Sequence, residues 1–495
     1  MRQTLARVIR LTAGYSLVTL LGPVFTVLLT PLYTRLLVPA DYGVVEAATT
    51  LAAFVNTLVL FAFDQALSAH YFDGDDTERR NLVTSAVLVS GVLGLLAAAG
   101  LLLYAEPLAV LLFKDPGRRL LIDLLAIEAV ATPLYTLLLT ALRLQTNVRR
   151  VNALALTFLL ATVVSNAVLI LGLHYRATGV VAANTLATVL ACGLGLLLGL
   201  PLLRGRVSPP LARALLRTGL SLLPGAFSFL VLGGIDRVML TQYVTQTDLG
   251  LYSIANKLAS LLFVALSAAW FAWWPLALEM GAQPEAPKQY ARMLEYFTAA
   301  GMVLGLGLGL LAPEILALAT RTLYVPAAPY ALVLMAYYGP LGFAASSFFV
   351  GLYIRKRTHW ISLAYLVAAA VNVGMNLWLD TAWGVWGAVW ATVGASLVLV
   401  IIAYFAGQAV LKVPYRMGRL LALSALYAGA IGFYLGVPAA ATLPGRLVLL
   451  VMMSASVLVL GIVTPRELLG GWQALRRELA RRLAAARPGQ SSPRP

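Results

Sequence analysis

Run after run of about 20 apolar residues fills this chain, beginning at residues 11–32 and recurring at 44–63, 81–103, 120–142, 153–173, 179–203, 220–240, 249–274, 297–318, 330–353, 360–379, 384–405, 420–435 and 447–463. A helix of that length matches the hydrocarbon thickness of a bilayer, where only helices and closed barrels satisfy their own backbone groups. With 61% hydrophobic and 11% charged residues and a mean hydropathy of +0.87, the chain has too little polar surface for an ordinary water-soluble domain. The expectation is an all-α polytopic membrane protein of about 14 transmembrane helices, the last two the shortest.

The net charge of +16 is mostly topology. With the N-terminus placed inside, most of the 36 Lys and Arg fall in inside segments, and flipping the chain would reverse that bias. Both termini are therefore expected to be cytoplasmic, and a nucleic-acid partner is not needed to explain the basic balance. Arg237 and Lys257 are exceptions that fall within spans. The basic stretch WQALRRELARRLAAAR at 472–487 reads as a helical tail able to lie on anionic lipid.

An internal repeat divides the spans. DYGVVEAATTLA, from Asp41, matches DLGLYSIANKLA, from Asp248, and NAVLILGLHYRATGVVAA, from Asn166, resembles NVGMNLWLDTAWGVWGA, from Asn372. The offset stays near about 206 residues across six helices, an even number, so the two copies run in the same orientation as a parallel repeat. The expected organisation is a six-helix lobe at 1–206, a second at 207–411, two added helices at 412–465 and a basic cytoplasmic tail at 466–495. The first helix of each lobe carries a matching break, Gly22-Pro23 and Pro224-Gly225. Pro23 and Pro224 thus mark candidate kinks and moving parts.

A charge at the centre of a membrane helix costs at least about 2.5–3.5 kcal/mol, so each one should face protein or water. Asp236 and Arg237 are sequence neighbours, about 100° apart around a helix, and each needs its own partner. Arg237 and Lys257 share a depth, and Arg35 and Glu46 stand at matching places in the first lobe. Arg35, Arg237 and Lys257, interleaved with the carboxylates Glu46 and Asp236, suit the path of an anionic head group such as pyrophosphate. Arg237 is the expected phosphate ligand and Asp236 the residue that orients Lys257. In the purely structural alternative, Asp236 bridges to Lys257 and Glu46 to Arg35. Asp64, Asp123 and Glu128 are the candidates for ion coupling, with interface bridges as the competing role.

No catalytic arrangement, metal site or cofactor motif emerges. His70, His174 and His359 stand in different loops, Cys192 is the only cysteine, and the acidic run DGDD at Asp73–Asp76 sits in a short loop beside TERR. Trp270, Trp273 and Trp274, with Trp378, Trp383 and Trp386, are placed where interfacial aromatic belts occur.

The opening LTPLYTRLLVPADYGVVEAATTLAAF, from Leu29, resembles that of the polysaccharide-biosynthesis flippases, the Wzx-type oligosaccharide-lipid exporters of the multidrug/oligosaccharidyl-lipid/polysaccharide (MOP) superfamily. IDRVMLTQYVTQTDLGLYSIANKLASLLF, from Ile235, is similar to that family's Asp-Arg followed by Gly-x-Tyr-Ser and Lys-Leu. The resemblance implies a MATE-like fold with a central cavity lined by the first, second, seventh and eighth helices. It implies transport, not catalysis: a polyprenyl (undecaprenyl)-pyrophosphate-linked oligosaccharide crosses a bacterial or archaeal cytoplasmic membrane by alternating access. Membrane lipids, a polymerase and glycosyltransferases of polysaccharide assembly would be its partners. A lipid II flippase and a multidrug or cation exporter of the same fold are the alternatives, ahead of a membrane glycosyltransferase or polymerase, which would need a large extramembrane loop.

Overall fold

The computed structural model describes residues 33–145, 147–464 and 467. The expected first span, Pro23 and the basic tail lie outside them. Among the described residues every regular element is helical, and eleven helices are long and apolar enough to cross a membrane, or twelve when one bent pair is counted as a single span. The expectation had thirteen spans in the same stretch. The difference is the last, whose helix Leu443–Val459 has only 17 residues.

The helices used below are α1 (Pro39–Leu60), α2 (Phe63–His70), α3 (Asp76–Leu103), α4 (Arg119–Leu144), α5 (Arg176–Gly199), α6 (Pro209–Leu240), α7 (Gln246–Glu279), α8 (Ala286–Leu310), α9 (His359–Trp383), α10 (Met417–Gly436) and α11 (Leu443–Val459). Local chemistry sets their ends. Pro39 begins α1, where its missing N–H costs no hydrogen bond. Asp75 caps α3 by accepting from the amides of Thr77 and Glu78, and Asp76 bridges to Arg79 at 3.0 Å, so the acidic DGDD run is a helix start.

The chain forms two compact units. The first takes in Met1–Leu258 as far as it is described, with Leu311–Leu334 and Lys356–Ala403. Here α4 is flanked by α3 and α5. Close packing depends on small residues: a Cβ on Gly94 would press on the backbone of Ala129 and Val130, and Gly195 and Gly199 face Leu138. Phe63, Leu67, Leu82, Val83, Leu137 and Leu142 make an almost fully buried core beside them. The two glycines of the repeated Asp-x-Gly stretch meet: a Cβ on Gly43 would strike the Gln246 carbonyl, and one on Gly250 the Pro39 carbonyl. The helix starts of α1 and α7 are therefore backbone against backbone.

Two breaks lie in this unit. Between α1 and α2, Phe61 and Ala62 both take the left-handed conformation, at φ 51° and 54°. Helix α6 bends by 55° between Pro209–Ser228 and Leu230–Leu240, one turn past Pro224, whose carbonyl accepts from the Ser228 hydroxyl at 2.6 Å.

The second unit takes in Ala259–Leu310, Met335–Arg355 and the described part of Tyr404–Pro495. Helix α8 packs against α10 and α11, and Gly301 lets the π-turn Tyr337–Leu341 approach. Trp270 stacks on Trp274 and meets Phe297 and Phe343 edge-on, so these indoles are packed among aromatics and not simply spread along an interface. At one end Arg292 grips both oxygens of Glu467 at 2.8 Å, and Thr464 caps the same carboxylate. Those hydrogen bonds, Arg292's foremost, hold the Glu467 carboxyl down at about 2.

Candidate functional site

The charged residues of the first unit converge on Glu46. It lies on α1, one turn after Tyr42, and both side chains are almost fully buried. Lys257, on α7, reaches Glu46 Oε1 at 2.8 Å and donates to the Tyr42 hydroxyl at 2.6 Å, with its ammonium 5.0 Å from the Tyr42 ring centre. Arg237, on α6, places Nε 3.6 Å from Glu46 Oε2 and donates from Nη1 to the Gly233 carbonyl at 3.0 Å. Tyr42 is held in turn by an edge-on contact with Tyr324, whose hydroxyl donates to the Leu37 carbonyl at 3.1 Å. One carboxylate thus stands between two cations from two other helices.

Exposure separates the two cations. The side chain of Lys257 is 32% exposed, whereas those of Arg237 and Glu46 are 13% and 10% exposed. Lys257 contacts both Glu46 and the Tyr42 hydroxyl. Lys257 is therefore the more accessible of the two cations, and Arg237 the more enclosed one beside Glu46.

The expected pairing of Asp236 with Lys257 is corrected. Asp236 accepts a hydrogen bond from the Tyr252 hydroxyl and another from the Arg237 amide at 2.9 Å. Tyr252 and Lys257 are five residues apart on α7, so they point about 140° apart, and a carboxylate taken by one cannot serve the other. Glu46, arriving on α1, orients Lys257 instead. The alternative bridge from Glu46 to Arg35 is not formed either. Arg35 is exposed, in the short helical stretch 33–36 before α1, and donates to the Leu318 carbonyl at 3.1 Å.

The three candidates for ion coupling do not converge. Asp64 opens α2 and lines a cavity of ≈ 390 Å³ with Thr57, Gln65, Ala226 and Gly233, one turn from Arg237 and beside both helix breaks. Glu128 is buried and accepts from the Thr185 hydroxyl at 2.8 Å. Asp123 lines a separate apolar cleft and faces Arg119 at 3.7 Å.

Sequence reasoning missed Asp380. Only 1% exposed on α9, which packs on α6, its two carboxylate oxygens have no hydrogen-bond partner among the described residues, and it lies within electrostatic range of Asp236. Asn376, one turn earlier on the same face, is fully buried with its own Oδ1 unsatisfied. Asp236, Asp380 and Asn376 make an oxygen-rich buried group suited to a proton or a small hard cation. The readable signal was the four-residue spacing Asn372, Asn376, Asp380 in an otherwise apolar helix. No cluster of three or more His, Cys, Asp or Glu suited to a metal occurs among the described residues.

Comparison with known proteins agrees with this architecture. Residues 32–272, close to half of the chain, match the family described as polysaccharide biosynthesis protein. A search of curated proteins found no match. Among solved structures, the fold is similar to the lipid II flippase MurJ in an inward closed conformation, with a TM-score of 0.67 at 14% identity over 92% of this chain and 99% of that one. It is also similar to an inward-facing multidrug resistance MATE family transporter of the MOP superfamily, with a TM-score of 0.62 at 14% identity over 78% of this chain and 94% of that one. Over residues 32–272 the chain is thus similar to polysaccharide biosynthesis proteins, and its fold, that of a multi-pass membrane protein, is similar to those of MurJ and of a MATE family transporter.

Proposed function

We propose that this protein is a flippase, not an enzyme, which carries a polyprenyl-pyrophosphate-linked oligosaccharide across the cytoplasmic membrane by alternating access between the lobes at 1–206 and 207–411, its termini on the cytoplasmic side. The observation that carries this reading is the pair of cations, Arg237 and Lys257, on a single carboxylate in membrane helices. A site for cationic drugs would need the opposite balance, with carboxylates in excess at the accessible position. Lys257 offers a mobile point charge to the pyrophosphate while Glu46 and Tyr42 keep it aimed. The glycan crosses in water beside these groups and the polyprenyl tail stays in lipid. The bends next to Pro224 and at Phe61–Ala62 absorb the change of access.

Uptake of a proton or small cation at Asp236 and Asp380 supplies the coupling, because two buried carboxylates within electrostatic range are stabilised when a positive charge arrives between them. Lipid II, another polyprenyl-pyrophosphate glycan, presents the same head group, and the two substrates are separated by the assay alone. Other polysaccharide-assembly proteins would supply and consume the lipid-linked glycan.

The test is reconstitution in vesicles with a fluorescent polyprenyl-pyrophosphate oligosaccharide, reading its appearance in the opposite leaflet. Protein-dependent transfer that Lys257→Gln abolishes is expected. Transfer no faster than in protein-free vesicles, under every ion gradient tried, overturns the flippase reading.

A further inference from the structure

Away from the charged centre, a cleft of ≈ 680 Å³ runs over α4 between α3 and α5. Its floor is one face of α4, from Asp123 through Ala126, Ile127, Val130 and Ala131 to Leu134. That stretch of twelve residues rises about 16 Å along the helix, the reach of a fatty acyl chain. Leu102 stands on the α3 wall, and Cys192 and Gly193 on the α5 wall. The lining is apolar but for one group, the Asp123 carboxylate. Its Oδ1 is buried with no hydrogen-bond partner among the described residues, while Oδ2 faces the exposed Arg119 at 3.7 Å.

A bare acyl chain would leave Asp123 Oδ1 buried and unpaired, which costs free energy. An occupant must instead bring a donor to Oδ1, an apolar chain to the floor and a negative group to the guanidinium one turn away. A phosphodiester with a primary ammonium and an acyl chain has all three, and its short ethanolamine arm can fold back from a phosphate at Arg119 to bring the ammonium to Asp123. We propose that this cleft is a binding site for an aminophospholipid of the phosphatidylethanolamine type. Its ammonium donates to Asp123, its phosphate meets Arg119 and one acyl chain fills the groove down to Leu134. With α4 oriented as its flanking charges suggest, the lipid comes from the outer leaflet.

Two substitutions probe the two halves of the site without disturbing packing. Asp123→Asn keeps the shape but removes the charge that selects an ammonium. Gly193→Phe plugs the groove, and a Cβ at Gly193 meets nothing within 4 Å, so the wall tolerates it. The full chain is purified with equal phosphatidylethanolamine, phosphatidylglycerol and phosphatidylcholine, and retained lipid is read by native mass spectrometry. A melting curve confirms that each variant is folded. The wild type is expected to retain phosphatidylethanolamine about tenfold over phosphatidylcholine, the effect of one hydrogen bond to a charged group. Asp123→Asn should erase that preference and Gly193→Phe should remove the tightly held lipid. As a second readout, phosphatidylethanolamine should slow the reaction of Cys192, the only cysteine, with an apolar maleimide. Equal retention of the three lipids by the wild type, or a preference that survives either substitution, overturns the proposal.

Discussion

At Glu46 a single carboxylate balances Lys257 and Arg237, and neither cation has water enough around it to do without. Glu46→Gln leaves two positive charges facing each other in low dielectric, and the expected loss of stability is on the order of 3 kcal/mol. Lys257→Met leaves a one-to-one pair of Arg237 and Glu46, so that variant should melt near the wild type yet fail to transport. The double variant Glu46→Gln, Lys257→Met should recover much of the stability lost by Glu46→Gln alone, because only Arg237 remains to be satisfied. Thermal unfolding of the four proteins in detergent checks this, and additive losses in the double variant would contradict a shared carboxylate. Composition exposed the cost of Arg237 and Lys257, but it could not choose their partner. That choice depends on α1 lying against the start of α7, which the sequence hinted at only through the repeated Asp-x-Gly.

Helix spans were legible because apolar runs of bilayer length have few alternatives, and the bend near Pro224 was legible because proline lacks an N–H. The break at Phe61–Ala62 was not, since neither residue prefers the left-handed region and the apolar pattern runs through both. Non-glycine residues held there store about 1–2 kcal/mol each. Ala62→Gly should therefore leave stability unchanged or raise it by up to about 1 kcal/mol, as relief of the φ of 54° outweighs the lost methyl. Ala66→Gly is the control four residues on, in regular α2 and fully buried, and should cost about 1 kcal/mol. Melting temperatures that fall equally for both substitutions would show that the break carries no strain.

For the molecule as a transporter, the question is what drives transfer in one direction. In the function proposed above, Lys257 and Arg237 bind the head group but hold it with equal strength against either leaflet unless something else changes during the cycle. Asp380 is the group to which the proposed coupling assigns that change. It lies buried with Asp236 nearby, and Asp236 is bonded to Tyr252 and to the amide of Arg237, the residue that anchors Glu46. Under the proposed coupling, a positive charge arriving between the two acids lets Asp236 relax its hold, and so reaches the cation pair through one peptide unit. The sequence obscured this because Asp380 stands just past an apolar run, where an acid normally means the water interface, and only the packing of α9 on α6 buries it. Asp380→Asn should leave binding of the pyrophosphate lipid intact, within about twofold, since it touches neither Lys257 nor Glu46 directly. It should still abolish the response of transfer to an imposed proton or alkali-cation gradient, the variant equilibrating the lipid between leaflets at one rate whatever the gradient. Parallel assays of lipid binding in detergent and gradient-driven transfer in vesicles separate the two effects. Undiminished gradient dependence in Asp380→Asn would place the coupling elsewhere, with Asp64 beside the two helix breaks the next acid to replace.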